Sequence, residues 1–200
     1  LNRDGSANVA RACAESGSRL IAISTDYVFR GDSSVPYRET DIPAPRTVYG
    51  ASKFAGEQEV FKALPTATVL RIAWLYGAGG PSFVHTMAKL GAQTGAPLKV
   101  VNDQRGNPTS TDAVAGVIRF LADHPTPGVV HGTCSGVCSW YDFAAGLFHL
   151  LGLKRALVPC ATAEFPRPAP RPANSALEKT VLTKLGYATP DWRAALKEFV

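Results

Sequence analysis

The sequence predicts an α/β protein built on a parallel sheet. Segments of helical periodicity alternate with short apolar runs of strand length, and those runs are apolar at consecutive positions, as strands covered on both faces are. The chain has 200 residues, 46% of them hydrophobic and 18% charged, enough for one core, or one core and a small lobe. That apolar fraction excludes a disordered chain. The longest nearly apolar stretch, Ala144 to Leu153, is interrupted by His149 and falls short of the roughly 20 residues a bilayer span needs. The opening Leu1-Asn2-Arg3-Asp4 lacks the apolar core of a signal peptide. It also lacks a Met and enters a helical pattern at once, so it reads as the inside of a longer protein.

Residues 6–16 place small and apolar side chains at helical spacing, with Gly17 as the stop. Residues 19–24 (RLIAIS) are a strand. The loop after them, with Gly31, Pro36, Pro43 and Pro45, holds too many breakers to be regular. Residues 49–63 predict a helix and 67–73 (ATVLRIA) a buried strand. A helix over 82–94, a strand over 97–102, a helix over 111–124, a strand over 128–132 and a helix over 140–152 follow. The stretch 159–172 carries five prolines and predicts an irregular, packed surface loop. Two short helices close the chain, the first capped by Asn174 or Ser175 and the second running from Asp191.

Charge is unevenly spread. Residues 1–153 carry 13 basic and 12 acidic groups, and residues 154–200 carry 8 and 4, so the net +5 sits mainly in the last quarter around Lys154, Arg155, Arg167 and Arg171. A local positive field suits a phosphorylated small molecule, or is simply a solvated basic face. No basic patch interleaved with aromatics speaks for nucleic acid. Of the four cysteines, Cys13 belongs to a helical stretch and is expected in the core. Cys134 and Cys138 have no second pair or histidine at metal-ligand spacing. Reduced thiols in a cytosolic protein are the expectation.

Tyr49 and Lys53 are four residues apart at the start of a helix, on one face. An ammonium beside a phenol favours the phenolate, which makes such a phenol a usable acid for protonating a carbonyl oxygen as hydride reaches the carbon. Alone the spacing is a weak signal, since an ordinary helix start would show it too. Support comes from Ser24-Thr25-Asp26, directly after a strand. Ligands of parallel sheets bind beyond the carboxyl ends of the strands, so the Thr25 hydroxyl is placed to bond a substrate carbonyl or the Tyr49 phenol. A turn-forming Ser/Thr/Asp cluster is the plainer reading. Trp74, in a loop after the next strand, is either a wall for a sugar or a core residue. Asp103-Gln104-Arg105-Gly106-Asn107-Pro108-Thr109 follows a third strand. Three consecutive strand ends with polar loops describe one shared crevice.

Together these segments resemble the extended short-chain dehydrogenase/reductase superfamily, and within it the dTDP-4-dehydrorhamnose reductase family. The matching pieces are STDYVF at 24–29, PY-x-E-x-D at 36–41, YGASK at 49–53, GE at 56–57, LR-x-x-W-x-YG at 70–77, DQ-x-G-x-P-T at 103–109 and FPRPAPRPANSAL at 165–177. They run in order over essentially the whole chain. The resemblance implies a Rossmann-like doubly wound parallel sheet, its N-terminal part missing, with a small C-terminal substrate-binding lobe. Residues 1–132 would belong to the NAD(P)-binding domain, with loops from 74–110 reaching the substrate, and 133–200 mainly to the lobe. It implies reduction of the 4-keto group of dTDP-4-dehydro-L-rhamnose with NADPH or NADH. Tyr49 would be the proton donor, Lys53 would support it and hold the nicotinamide ribose, and Thr25 would tune the hydrogen bonds. Asp26 and Trp74 would contact the deoxysugar, and Arg167 or Arg171 the diphosphate. The setting implied is cytoplasmic, without membrane or nucleic acid, with a homodimer left open.

Arg30 stands where the family carries an acidic residue, a surface change. No glycine-rich dinucleotide turn occurs in the chain, so these 200 residues alone are expected to bind nicotinamide cofactor poorly and to be inactive. Two alternatives stay open: a related dTDP-4-ketohexose reductase of secondary metabolism, and a non-catalytic relative resembling the regulatory beta subunit of methionine adenosyltransferase. The intact Thr25, Tyr49, Lys53 and Trp74 set favours a reductase over the latter.

Overall fold

The computed structural model describes residues 1–166 and 168–200. The elements follow in the order α1 (Asp4–Ser16), β1 (Ile21–Thr25), α2 (Val48–Ala63), β2 (Thr68–Ile72), β3 (Leu75–Tyr76), α3 (Phe83–Gly91), β4 (Leu98–Val101), β5 (Arg105–Gly106), β6 (Thr109–Ser110), α4 (Thr111–Asp123), β7 (Gly128–His131), β8 (Cys138–Ser139), α5 (Trp140–Leu151), β9 (Leu157–Cys160), α6 (Thr180–Lys184) and α7 (Trp192–Phe199). Every long element read from the sequence is present within a few residues of its expected bounds. Among the described residues no helix is long and apolar enough to cross a membrane.

Strands β1, β2 and β7 form a parallel sheet in that order, with Ile23 beside Leu70 and Leu70 beside Val130. Alternation along β2 explains its all-apolar run. Val69 packs with Ala10 of α1 and Val60 of α2 on one face. Leu70 packs with Val114, Val117 and Leu121 of α4 and Leu182 of α6 on the other. The sheet is thus wound on both sides, the arrangement its period-2 side chains dictate. On β1, an edge of this sheet, Ile23 keeps 40% of its surface exposed.

A second core lies in the C-terminal half. Phe143, Leu147 and Phe148 of α5 meet Val84 and Met87 of α3, Val100 of β4, and Trp192 and Leu196 of α7. Beside the sheet lie three short two-stranded pairs, β3–β6, β4–β9 and β5–β8.

Four sequence expectations change. Asn174 and Ser175 do not cap a helix. Their amides bond the Gly31 and Arg105 carbonyls at 3.0 and 2.8 Å, which holds 174–177 extended, and α6 begins only at Thr180. The proline-rich stretch is not wholly irregular, because Pro159 and Cys160 end β9, and Thr162–Glu164 form a 3-10 turn. Pro159 is tolerated there because β9 pairs only with β4, and a strand edge needs no amide donor. The loop after β1 opens with a 3-10 turn, Asp26–Val28. Cys13 is half-buried rather than in the core.

One ion pair crosses from α2 to the sheet. The Glu57 carboxylate accepts from Arg71 Nε at 2.9 Å and Nη2 at 2.6 Å, and both side chains are under 5% exposed. Ser24 of β1 donates to the same carboxylate, and the Arg71 guanidinium lies 4.9 Å from the Phe29 ring centre. A buried pair of this kind costs heavily when one charge is left alone. Glu57→Ala should therefore lower the unfolding free energy by about 3–5 kcal/mol in urea titrations. The double replacement Glu57→Leu with Arg71→Met should lose clearly less.

Candidate functional site

A cleft of about 320 Å³ opens at the carboxyl ends of β1 and β2. Six of the seven residues singled out from the sequence line it: Thr25, Asp26, Tyr49, Lys53, Trp74 and Arg171. The seventh, Arg167, lies outside the described residues. The crevice expected from the polar loops thus exists, and its floor comes from both strand ends and the first turns of α2.

Helix α2 starts where it does because Thr47 caps it, its hydroxyl accepting from the Gly50 amide at 3.0 Å. The helix start presses against the 3-10 turn. A Cβ on Gly50 would lie 2.1 Å from the Tyr27 carbonyl oxygen, so only glycine permits this approach. The approach brings the rings of Tyr49 and Tyr27 edge to face at 5.7 Å. Tyr49 stays half exposed, its ring on the open cleft. One turn along, Lys53 donates to the Ile23 carbonyl at 2.7 Å, anchoring its ammonium on the strand. Burial lowers the Lys53 pKa below the ordinary lysine value, and Glu57 pulls it back up.

Thr25 is buried, and its hydroxyl is engaged locally. It donates to Asp26 Oδ1 at 3.0 Å and accepts from the Tyr27 amide at 3.3 Å. The proton expected to reach a ketone or Tyr49 is donated instead to the Asp26 carboxyl. Asp26 is the most perturbed group in the cleft. Burial pushes its pKa up to about 6, against the pull of the Ser175 and Thr25 hydroxyls. Its Oδ2 is buried without a partner.

Trp74 is half-buried and, among the described residues, is the one non-glycine residue with a positive φ, 46°. Such a conformation costs on the order of 1–3 kcal/mol and persists only where surroundings enforce it. Here the Trp74 ring stacks on Trp140 with centroids 3.6 Å apart, and Gly106 leaves room for the indole, since a Cβ there would lie 2.4 Å from it.

Among the lining residues for which the sequence suggested no individual role are Tyr27, Gln104 and Trp140. Tyr27 belongs to the 3-10 turn. Burial raises its pKa, and Arg171 beside it opposes the rise. Gln104 and Trp140 reach the cleft from the C-terminal half. Trp140 carried one readable signal: it follows Ser139, which with Asp142 forms a reciprocal capping box at the start of α5. Gln104, Trp140 and Arg171 also line a neighbouring cleft of about 420 Å³, which includes Phe83, Lys99 and Phe165.

The Asp26 shift has a pH signature. Across the window from about pH 4 to about pH 6 the folded state keeps a proton that the unfolded chain has released. This residue's contribution to stability is full below that window and falls as pH rises through it, by up to about 3 kcal/mol. Urea titrations of wild type and Asp26→Asn across that range should show the difference between the two curves changing with this sign. Parallel curves would refute the assignment.

Comparison with known proteins agrees with this geometry. The RmlD substrate binding domain family matches residues 1–200. A Streptomyces antibioticus protein described as a probable dTDP-4,6-dihydroxy-2-methyloxan-3-one 4-ketoreductase is 50% identical over 182 residues, 90% of this chain. The dTDP-4-dehydrorhamnose reductase of Mycolicibacterium smegmatis is 42% identical over 206 residues, 100% of this chain. The chain spans 61% and 62% of the length of these two relatives. The crystal structure of dTDP-4-dehydrorhamnose reductase from Bacillus anthracis in complex with NADP superposes with a TM-score of 0.94 at 38% identity, covering 100% of this chain and 70% of that one. A match over every residue, with the same fold, places this chain in the RmlD substrate-binding domain family.

Proposed function

We infer that the protein reduces the 4-keto group of dTDP-4-dehydro-L-rhamnose, with NADPH or NADH as hydride source. The observation that carries this reading is the convergence of Thr25, Tyr49, Lys53 and Trp74 on one cleft at the sheet's carboxyl edge. When bound, the nicotinamide cofactor supplies the hydride. The residues present fit its ribose end: Tyr49 is half exposed, and Lys53, tied to Ile23, keeps further N–H donors beside it. The pyrophosphate would need a glycine turn that these 200 residues do not contain.

Tyr49 donates its phenolic proton to the 4-keto oxygen as the carbon–oxygen double bond becomes single and a carbon–hydrogen bond forms. Lys53 offsets the charge left on the phenolate. Thr25 fixes Asp26, whose carboxyl borders the sugar side of the cleft, and Trp74 walls the ring. Arg171 lies where the two clefts meet, so the sugar fills the cleft with Tyr49 and the nucleoside the neighbouring one, with the diphosphate at Arg171. Arg167 is retained as a second diphosphate contact on sequence grounds. On this reading residues 133–200, with the 74–110 loops, form the substrate side. The four free cysteines suit a cytoplasmic setting.

The 50% identity to the Streptomyces antibioticus protein favours a second reading, reduction of another dTDP-4-ketohexose. Comparing kcat/KM of the full-length protein on dTDP-4-dehydro-L-rhamnose and on other dTDP-4-ketohexoses decides between them. NADPH oxidation should require the keto sugar and should vanish in Tyr49→Phe. Activity surviving that change would exclude Tyr49 as the acid. Arg171→Ala should raise KM for the dTDP-sugar by about tenfold or more with little change in kcat. Unchanged values would remove Arg171 from the diphosphate site.

A further inference from the structure

The partition between the two clefts is a built assembly. Trp74 and Trp140 are 66 positions apart, yet their rings lie parallel within 5° at 3.6 Å. Trp140 also packs on Phe83, centroids 4.6 Å apart, so one face is braced by the C-terminal core and the other carries Trp74. Its indole N–H donates to Gln104 Oε1 at 3.2 Å. Gln104 Nε2 donates to Thr162 Oγ1 at 2.9 Å, and Thr162 Oγ1 donates to Asp103 Oδ1 at 2.6 Å. Every donor in this chain runs the same way, from the indole to the carboxylate, which fixes which end of the Gln104 amide faces which partner. Gln104 is 5% exposed, and this orientation leaves it one N–H and one lone pair for a ligand.

We propose that Trp140 is a positioning residue for the substrate: braced on Phe83 and keyed to Gln104, it holds Trp74 in its left-handed conformation as the wall of the sugar cleft. The proposal rests on the reading that a nucleotide sugar occupies both clefts. Trp140 acts through Trp74 and Gln104 and is not itself a catalytic residue. A flat aromatic surface at position 140 is what the stack requires. The N–H is what Gln104 requires. The two needs separate by substitution, because Phe keeps the surface and loses the donor, while Leu loses both.

The test uses the full-length protein. Near-ultraviolet circular dichroism should show the signature of a coupled indole pair in wild type, abolished alike by Trp74→Phe and Trp140→Phe. The dissociation constant of dTDP-L-rhamnose, measured by calorimetry, should rise by about tenfold or more in Trp140→Leu and by clearly less in Trp140→Phe. The NADPH dissociation constant should be unchanged in both. In the reductase assay the Leu variant should raise KM more than it lowers kcat. Sugar affinity unchanged in Trp140→Leu, or sugar and NADPH affinity falling together, would overturn the proposal. Wild-type protein that binds dTDP-L-rhamnose but turns over no dTDP-4-ketohexose would remove the reductase reading, while the binding and dichroism results would still decide the role of Trp140.

Discussion

The buried Glu57–Arg71 pair is the constraint on which the site depends. Helix α2 carries Tyr49 and Lys53, and β1 carries Thr25 at its end, so catalytic geometry requires that helix and strands keep one register. Apolar packing alone tolerates sliding, since hydrophobic contact is non-directional. A bidentate guanidinium–carboxylate bond is directional. Glu57 is one turn past Lys53 on α2, Arg71 is on β2, and Ser24 of β1 donates to the same carboxylate. Three elements therefore meet at one group directly beneath the cleft floor. The cost of burying the two charges is offset by the bonds between them, and the return is a fixed position for the residues above.

Above that floor the cleft is assembled from two halves with different cores. The sheet half supplies Thr25, Asp26, Tyr49 and Lys53, and the C-terminal half supplies Gln104, Trp140 and Arg171. Trp74 is the hinge between them: its backbone leaves the end of β2, its carbonyl accepts from the Thr109 amide at 3.2 Å, and its ring stacks across onto α5. A stacked aromatic pair contributes about 0.5–1.5 kcal/mol beyond area burial, which offsets only part of the backbone strain at Trp74. The remainder falls to the Thr109 bond and to the fit against Gly106.

What the sequence made legible follows from the range of each interaction. Local signals were readable: the β2 run ATVLRIA, the Tyr49–Lys53 spacing on one helical face, and the Asp191 cap, which does open α7. Residues 174 and 175 carry cap-forming side chains, but the state of their backbone is decided by the distant Gly31 and Arg105 carbonyls, which accept from their amides. The loop holding Gln104 is legible as part of the crevice, but its partners are not, since Gln104 meets Trp140 and Thr162 across 36 and 58 positions. The Glu57–Arg71 pair joins α2 to β2 across 14 positions, so no local pattern announces it.

The arrangement of charge in the cleft matches the chemistry proposed for it. Reduction of a ketone builds negative charge on the oxygen, which the proton donor must neutralise, and the donor is then left negative. Lys53 is on the Tyr49 side of that event, its ammonium bonded to the Ile23 carbonyl, with Glu57, already paired to Arg71, one turn away. Asp26 is on the Thr25 side, with its own charge made costly by burial. On the proposed reading a cation on the Tyr49 side and a costly anion on the Thr25 side would favour that movement of charge, and the helix–strand register holds both groups in place.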